Sequence, residues 1–340
     1  MSIVYTLLIL CVLVLVHEFG HFIVAKKCGV LVEEFSIGMG PRLVGWQKGE
    51  TTYSIRAFPI GGFVNMLGEA EGSDNPRAFC NKSVWQRMAI TFAGPLMNML
   101  IAVVFFLVAF MYFGTPAANG LVGTVAENSP AEMAGLVAGD VIVSLQTDED
   151  AAVTITGWDD ISAFMAEVKP GDSVTVGYQR DGAAYTASLI TAANENGGAM
   201  LGITQGIQRA DIWGSLSLGF ATTVNFTVLV LQSLWQMVTG AAPVEVAGPV
   251  GMVTLVGEYA NVGLMYLFLF AGMLSVNLGV MNLLPIPALD GARLLFLLVE
   301  AVRRKPVDRD KEAMVNMIGF MLLMGLMLLV TYFDITKLIE

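Results

Sequence analysis

Residues 3–25 read IVYTLLILCVLVLVHEFGHFIVA, and this apolar stretch indicates that part of the chain lies in a lipid bilayer. About 20 apolar residues in a helix cross the hydrocarbon core of a membrane. The segment before its histidines carries no basic residue, and Lys26 and Lys27 close the stretch on the other side. Because a signal peptide has the opposite charge pattern and a cleavage site of small residues, we interpret the stretch as a retained membrane helix.

The polar residues of this helix form the pattern His17-Glu18-Phe19-Gly20-His21. Residues four apart lie on the same helical face, so both imidazoles can bind one zinc ion. Glu18 can accept a proton from a water molecule that the metal activates. The pattern occurs by chance in soluble proteins, but each ionisable residue inside a membrane costs at least about 2.5 kcal/mol. Since these are the only two histidines of the chain, we favour a catalytic metal site.

A catalytic zinc ion normally has three protein ligands and keeps one position for water, so a third ligand is required. Asp290 is the only acidic residue in the segment 259–299. Glu33 and Glu34 are closer in sequence but follow the first helix in a predicted loop. Asp290 is therefore the better candidate, although it could also cap a helix over residues 291–302.

Asp290 follows a break in a membrane helix. Residues 282–291 read NLLPIPALDG, and Pro285 and Pro287 cannot both lie in an unbroken helix. Irregular backbone at membrane depth is tolerated only where protein or water satisfies its polar groups. The break therefore predicts a hydrated cavity, which hydrolysis requires.

The composition is that of a membrane protein, because 55% of the residues are hydrophobic, 14% are charged and the mean hydropathy is +0.68. Besides residues 3–25, three segments are long and apolar enough to span a bilayer, namely 90–113, 262–284 and 313–333. We therefore expect four spans.

A further apolar segment, residues 213–238, has hydrophobic residues at helical spacing. Polar residues interrupt it, among them Thr222, Thr223, Asn225 and Thr227. A single extra crossing here would also reverse the orientation of everything that follows. We expect this helix to lie along the outer membrane surface or against the bundle.

Basic residues cluster in the loops after the first predicted span, before the second and before the last: Lys26, Lys27, Arg42, Lys48, Lys82, Arg87, Arg303, Arg304 and Lys305. Loops rich in Lys and Arg face the cytoplasm, so both termini and residues 115–209 should face outward. His17 lies about 21 Å along the first helix, which places the metal nearer the cytoplasmic side. The formal net charge of −11 argues against nucleic acid as a partner, since that needs a basic surface.

Residues 115–209 predict a separate soluble domain. They are rich in Asp, Glu, Gly, Thr and Val and contain three basic residues. Segments 174–179 and 184–190 have the alternation typical of strands, and residues 158–168 have that of a short helix. These elements suit a small β-rich module.

A second strand pattern lies between the first two spans. Residues 51–57 alternate in strand fashion, residues 58–62 predict a turn, and residues 63–67 could return as the second strand of a hairpin. The hairpin could pair with an extended substrate, or it could be a structural ribbon that closes the cytoplasmic side.

The first-helix pattern, together with Asn282-x-x-Pro285-x-Pro287-x-Leu289-Asp290-Gly291, resembles the site-2 protease family, in its branch of regulator-of-sigma-E proteases. Similar segments run in family order through nearly the whole chain: residues 34–41 (EFSIGMGP), 59–69 (PIGGFVNMLGE), 82–84 (KSV) and 94–98 (GPLMN). The chain departs from the usual form in having one PDZ region instead of two, Asn65 where a basic residue is common, and Ala292 where a second glycine is frequent.

The resemblance implies a polytopic α-helical membrane protein with four transmembrane helices. An extracytoplasmic α+β PDZ domain would be inserted between the second and third helices, and a small membrane-associated β-hairpin would follow the first. The two halves of the protease core would be residues 1–114 and 262–340, the PDZ domain residues 115–209, and the surface helix with its linker residues 210–261.

The resemblance also assigns roles to individual residues. It implies that one Zn²⁺ binds to His17, His21 and Asp290, that Glu18 activates water, and that substrate contacts Asn282, Pro285 and Pro287. Leu201, Gly202 and Ile203 would form the PDZ loop that binds the carboxylate of a peptide or protein terminus, unless they are an ordinary strand end.

The function expected from this resemblance is a zinc-dependent intramembrane endopeptidase of the bacterial cytoplasmic membrane. It would carry out regulated intramembrane proteolysis of single-span membrane proteins, such as anti-sigma factors or remnant signal peptides. An alternative is a PDZ-bearing membrane scaffold whose metal motif is inactive, and zinc content would separate the two. A transporter also contains broken helices and buried charges, but the sequence has no visible inverted repeat.

Overall fold

A computed structural model describes residues 1–69, 71–148, 151–194, 197–241 and 248–339. The chain divides into two compact units. The first contains Met1–Ala109 and Trp213–Glu340, and the second contains Phe110–Ile212. Residues 149–150 and 195–196 of the predicted insert, and residues 242–247 of the predicted linker, lie outside the described residues.

The helices are, in chain order, α1 (Ser2–Lys27), α2 (Val84–Phe113), α3 (Pro130–Met133), α4 (Trp158–Glu167), α5 (Ile212–Thr239), α6 (Pro249–Val262), α7 (Leu264–Leu283), α8 (Asp290–Arg303) and α9 (Arg309–Ile339). The strands are β1 (Val32–Lys48), β2 (Thr51–Met66), β3 (Thr115–Pro116), β4 (Gly120–Val125), β5 (Val141–Thr147), β6 (Val153–Thr154), β7 (Ser173–Arg180), β8 (Ala183–Ile190), β9 (Ala192–Ala193), β10 (Ala199–Met200), β11 (Ile203–Gln205) and β12 (Ile207–Gln208).

Within the described part of the chain, five helices are long and apolar enough to cross a membrane: α1, α2, α5, α7 and α9. The segments predicted as four spans correspond to α1, α2, α7 and α9. The additional candidate is α5, which has the lowest mean hydropathy of the five, 1.5 over its best window. Length and composition alone therefore allow one span more than the sequence predicted.

Helix α5 packs along α2. A Cβ at Gly219 would lie 3.0 Å from the carbonyl oxygen of Val103, and the Thr227 hydroxyl lies 3.9 Å from the sulfur of Met99. Residue numbers rise along α5 while they fall along α2, so the two helices are antiparallel. The Thr223 and Thr227 hydroxyls donate to carbonyl groups one turn earlier in α5. Two of the polar residues that argued against membrane burial thus have their hydroxyl groups satisfied within the helix.

Glycines bring α1 and α7 close to α2. A Cβ at Gly20 of α1 would lie 2.3 Å from the Ala93 carbonyl oxygen, and one at Gly279 of α7 would lie 3.2 Å from that of Pro95. Small residues at such contacts let helix backbones approach each other, which is the usual basis of packing in lipid. Helix α2 is therefore in close contact with two other helices of the first unit, through Ala93 and Pro95.

The predicted break between two helices is confirmed. Helix α7 ends at Leu283 and α8 begins at Asp290, with Pro285 and Pro287 between them. The alternative that Asp290 caps α8 is wrong, because Leu289 holds the N-cap position and no described side chain caps this helix. The Asp290 carboxylate is consequently directed elsewhere.

Strands β1 and β2 form a bulged antiparallel sheet between α1 and α2. Because both strands bend, Ser36 pairs with Phe63 on one side and with Ser54 on the other. The predicted pairing of residues 51–57 with residues 63–67 is therefore wrong, since residues 34–37 lie between them. Long-range pairing of this kind has no local sequence signal. Residues 62–66 form an outer edge of the sheet, and no described strand pairs with their other side.

The second unit contains a six-stranded sheet in the order β11-β4-β5-β7-β8, with β6 added to β5. Its core is a cluster of buried aliphatic side chains that includes Val122, Ile142, Leu145, Val174 and Val176. The two strands and the helix predicted from residues 174–179, 184–190 and 158–168 are confirmed as β7, β8 and α4.

Candidate metal centre

Helix α1 presents His17 and His21 on one face, as the four-residue spacing predicts. Their Nε2 atoms are 3.2 Å apart, and each residue is 9% exposed. The Nδ1 atom of His21 lies 2.8 Å from the Ile90 carbonyl oxygen in α2. With the proton on Nδ1, the Nε2 lone pair of His21 is free to bind a metal.

Asp290 lies across the bundle from the histidines, at the start of α8. Its Oδ2 atom is 3.1 Å from Nε2 of His17 and 3.4 Å from Nε2 of His21. This oxygen is buried, and among the described residues it accepts no hydrogen bond, so the two imidazole nitrogens are its polar neighbours. Among the described residues, these three form the one group of histidine, cysteine or acidic side chains whose ligand atoms converge in this way, all within 4.8 Å of one another.

The three ligand atoms fit a zinc ion. With Zn–N and Zn–O bonds of about 2.0–2.1 Å, two ligand atoms of a tetrahedral site lie roughly 3.3 Å apart. The observed separations of 3.1, 3.2 and 3.4 Å agree with that value. A buried carboxylate oxygen without a partner is also costly unless a cation binds there. Three protein ligands leave one position for water, as in catalytic zinc sites.

Gly94 of α2 makes room for this arrangement. A Cβ at this position would lie 2.3 Å from Nε2 of His21 and 2.8 Å from Cε1 of His17. The sequence marked Gly94 only as part of a family-like segment. Gly94 leaves space for the imidazoles only because α1 packs closely against α2. No local sequence pattern indicates that packing.

Glu18 and the three candidate ligands line one cavity of about 340 Å³. Asn282 lines it too, beside the outer strand of the sheet, which contributes Phe63, Val64 and Met66. A Cβ at Gly62 would lie 3.5 Å from Cγ of Glu18, so this strand passes directly beside the general-base candidate. Glu18, the three candidate ligands and one edge of the sheet therefore border the same cavity.

The other predicted site residues lie elsewhere. Pro285 and Pro287 do not line this cavity, and Pro287 packs against Gly319 of α9. Leu201 is 4% exposed in the core of the second unit, and its carbonyl group accepts a hydrogen bond from the amide of Ala131.

Gly202 and Ile203, the other two residues predicted for the PDZ loop, lie next to Leu201 in the second unit. Gly202 has a φ of +81°, and a Cβ there would lie 2.2 Å from Cβ of Ser129. Ile203 begins strand β11, which pairs with β4.

Sequence reasoning missed an ion pair in the cavity wall. Arg293 donates to Glu69, and its guanidinium carbon lies 4.5 Å from the centre of the Phe79 ring. Glu69 follows strand β2, whereas Arg293 lies one turn after Asp290 on α8. The pair thus connects the sheet region with the helix that carries the third ligand. The sequence signal that could have indicated Arg293 is its position three residues after Asp290, one helical turn further along.

Comparison with known proteins agrees with this geometry. A protein of Clostridium acetobutylicum, provisionally named a zinc metalloprotease, is 42% identical over 337 residues, which cover 98% of this chain and 97% of that protein. The regulator of sigma-W protease RasP of Bacillus subtilis is 31% identical over 427 residues, covering 99% of both chains. The zinc metalloprotease RasP of Oceanobacillus iheyensis is also 31% identical, again covering 99% of both.

Among solved structures, the PDZ domain of an SdrC-like protein from Listeria monocytogenes matches 27% of this chain and 90% of its own length, with a TM-score of 0.23 and 22% identity. The model of peptidase family M50, in contrast, matches residues 5–326. With relatives that align from end to end and three converging ligand atoms, the chain belongs to peptidase family M50.

Proposed function

We propose that this bacterial membrane protein is a zinc-dependent endopeptidase that cleaves peptide bonds of transmembrane substrates, with the metal bound by His17, His21 and Asp290. The observation that supports it most directly is the convergence of three ligand atoms and Glu18 in one cavity among helices long enough to span a bilayer. An inactive scaffold would have no need to keep the carboxylate oxygen of Asp290 buried within 3.4 Å of two imidazole nitrogens.

When bound, zinc acts as a Lewis acid that lowers the pKa of water and polarises a substrate carbonyl group. Glu18 accepts the proton of the attacking water on its carboxylate and returns it to the nitrogen of the leaving amine. The Ile90 carbonyl group holds His21 in the tautomer that leaves Nε2 free. Asn282, which lines the cavity, would hydrogen-bond the substrate backbone.

A membrane-spanning substrate satisfies its own backbone hydrogen bonds, so it must be unwound before a carbonyl group is accessible. We place the extended substrate along residues 62–66, because this edge of the sheet has unpaired backbone groups among the described strands and borders the cavity. Addition of a strand to a sheet edge is a common mode of peptide binding. Pro285 and Pro287 then act indirectly, by shaping the break that presents Asn282 and Asp290.

The remaining assignments concern topology and partners. The basic residues near α1 and α8 support a cytoplasmic position for those loops, which would place residues 115–209 and both termini outside. The second unit would be a PDZ domain that binds peptide or protein termini, with Leu201, Gly202 and Ile203 near its ligand. The name of the Bacillus subtilis relative supports membrane-anchored regulators of transcription, such as anti-sigma factors, as one substrate class.

The central test compares the parent with Glu18→Gln, using purified protein in detergent and a panel of transmembrane peptides. General-base catalysis contributes about 10²–10⁴-fold, so we expect the variant to lose cleavage by at least about 100-fold while it keeps its zinc. Glu258→Gln in α6 is the matched control, because it makes the same chemical change at an exposed position of the first unit. Equal product from Glu18→Gln and the parent would disprove the general-base role, and a parent that binds no zinc would disprove the function.

A further inference from the structure

We propose that Asn98 of α2 is a positioning residue for the metal centre. Its side-chain oxygen accepts a hydrogen bond from Nδ1–H of His17 and so directs the Nε2 lone pair of His17 towards the metal. The inference rests on the proposed zinc-dependent function and assigns to Asn98 a role that is separate from substrate binding and proton transfer.

The first observation is the contact itself. Asn98 is 1% exposed, and its side-chain amide lies 3.2 Å from Nδ1 of His17. The amide nitrogen faces the ring, and the buried Oδ1 atom has no hydrogen-bond partner within the described part of the chain. The oxygen and nitrogen of an asparagine amide have nearly the same shape, so their assignment follows from the hydrogen bonds they make. Exchanging them gives the Nδ1–H of His17 an acceptor and gives the Asn98 oxygen a hydrogen-bond partner.

The second observation is the tautomer that metal binding demands. His17 directs Nε2 towards Asp290 and His21, so a metal bound there leaves the proton on Nδ1. A buried N–H without an acceptor costs about 1–3 kcal/mol. For His21, the acceptor is the Ile90 carbonyl oxygen, at 2.8 Å from Nδ1. For His17, Asn98 occupies the equivalent position.

The third observation is the spacing along α2. Ile90, Gly94 and Asn98 are four residues apart, so they form a stripe on one helical face. This stripe supplies an acceptor for each histidine, at Ile90 and Asn98, and the space for both rings at Gly94. One face of α2 therefore orients both imidazoles of α1.

Helix α7 contacts the backbone of Asn98. The Ser275 hydroxyl donates to the Asn98 backbone carbonyl group at 2.7 Å, and Ser275 is fully buried. This contact involves only the backbone of Asn98, so the side chain remains available for His17. It also provides a control, because Ser275→Ala removes a hydrogen bond at the same residue without changing the amide.

Two substitutions separate a positioning role from helix packing. Asn98→Asp keeps an acceptor for Nδ1–H but removes the donor, whereas Asn98→Leu removes both and keeps a similar volume. The measurement is the zinc dissociation constant of the full chain in detergent, obtained by competition with a chelator. Partners of metal ligands contribute about 10–100-fold to affinity, so we expect that loss for Asn98→Leu and a change of less than about threefold for Asn98→Asp and Ser275→Ala.

The outcomes are distinct. Zinc affinity that falls as far in Asn98→Asp as in Asn98→Leu would overturn the acceptor role, and parental affinity in Asn98→Leu would overturn any positioning role. If Asn98→Leu fails to fold, Asn98→Asp alone tests the proposal. An aspartate carboxylate cannot donate a hydrogen bond, so it cannot replace an amide nitrogen that donates to Nδ1 of His17. A parent without zinc would instead overturn the proposed function.

Discussion

At the scale of single residues, the metal centre requires a glycine, because there is no room for a side chain beneath the two imidazoles. Gly94 lies on α2 beneath both imidazoles, where a Cβ would come within 2.3 Å of Nε2 of His21. Real Cβ atoms do not approach other atoms this closely, so a larger residue must displace a ring or separate the two helices. The arrangement of His17 and His21 is thus controlled from the neighbouring helix.

We predict that Gly94→Ala lowers zinc affinity by roughly tenfold or more, as loss of other supporting contacts does. Alanine is the better helix former, so helix propensity does not destabilise α2 itself. Zinc competition in detergent measures the effect, with Gly325→Ala in α9 as control, because a Cβ there meets nothing within 4 Å. Unchanged zinc binding in Gly94→Ala would show that the packing of α1 against α2 is looser than described.

At the scale of elements, the β1–β2 sheet determines how a substrate can reach the cavity. Tyr53 and Ile55 lie in the segment that is paired on both sides. A proline there would break the sheet whether or not substrate binds to it. The outer edge at residues 62–66 is therefore the place to test, and Asn65 is its exposed residue.

We predict that a substrate cysteine near the scissile bond forms a disulfide with Asn65→Cys in a Glu18→Gln background. Neighbouring strands bring Cα atoms to about 4.5–5.5 Å, within the range that a disulfide spans. Gel mobility under non-reducing conditions detects the product after Cys11, Cys28 and Cys80 have been replaced. Val44→Cys, exposed on the far segment of the sheet, is the control. Equal cross-linking at both positions would contradict edge-strand binding.

In the second unit, Asp140 and Arg180 connect the beginning of β5 to the end of β7. The guanidinium of Arg180 donates to both carboxylate oxygens of Asp140, at 2.7 and 2.8 Å, and the carboxylate is buried. These hydrogen bonds hold the pKa of Asp140 below its ordinary value. The folded unit thus binds this proton less readily than the unfolded chain does. The stabilisation is complete above the unfolded pKa of about 3.9 and is lost as the pH falls through the lower folded value.

We predict that Asp140→Asn destabilises the second unit by about 2 kcal/mol at neutral pH and removes this acid dependence. Hydrogen exchange of β5 and β7 in the intact chain, followed from pH 7 to below pH 4, measures both effects. Asp181→Asn is the matched control, because Asp181 lies in the exposed turn with a φ of +52°, which asparagine tolerates. An Asp140→Asn unit as protected as the parent at pH 7 would contradict the role of the ion pair.

At the scale of the whole molecule, the helix directions constrain the topology. Both α5 and α7 are antiparallel to α2, since Gly272 and Gly279 of α7 meet Phe106 and Pro95 in reverse order. The chain must therefore return across the first unit between α5 and α7. Helix α6 lies in that interval and packs against α1, α7 and α9. If α5 crosses the bilayer, a return of the chain through α6 would place the start of α7 on the same side of the membrane as the start of α5.

We predict that single cysteines at Ala184 and Arg304 lie on opposite sides of the membrane, with Ala184→Cys outside. A membrane-impermeant maleimide should label Ala184→Cys in intact cells and Arg304→Cys only after permeabilisation, with the native cysteines replaced. Basic loops remain cytoplasmic, which is the physical reason for this orientation. Labelling of Arg304→Cys in intact cells would reverse the proposed topology.

The sequence by itself determined whatever depends on neighbours along the chain. Helical spacing placed His17 and His21 on one face, two prolines ended α7, and alternation predicted β7 and β8. The sequence also singled out Asp290, through its isolation in an apolar segment. Each of these features follows from backbone geometry or from the cost of charge in lipid, which act locally.

Only the tertiary structure decided the contacts between distant segments. It brought Asp290 to 3.1 Å from His17, inserted residues 34–37 between two predicted hairpin strands, and laid α5 against α2. It also revealed Gly94, Asn98 and the Glu69–Arg293 pair beside the site. Such contacts arise from packing between helices and strands far apart in sequence, and the spacing of residues along one element does not identify the distant element that it meets.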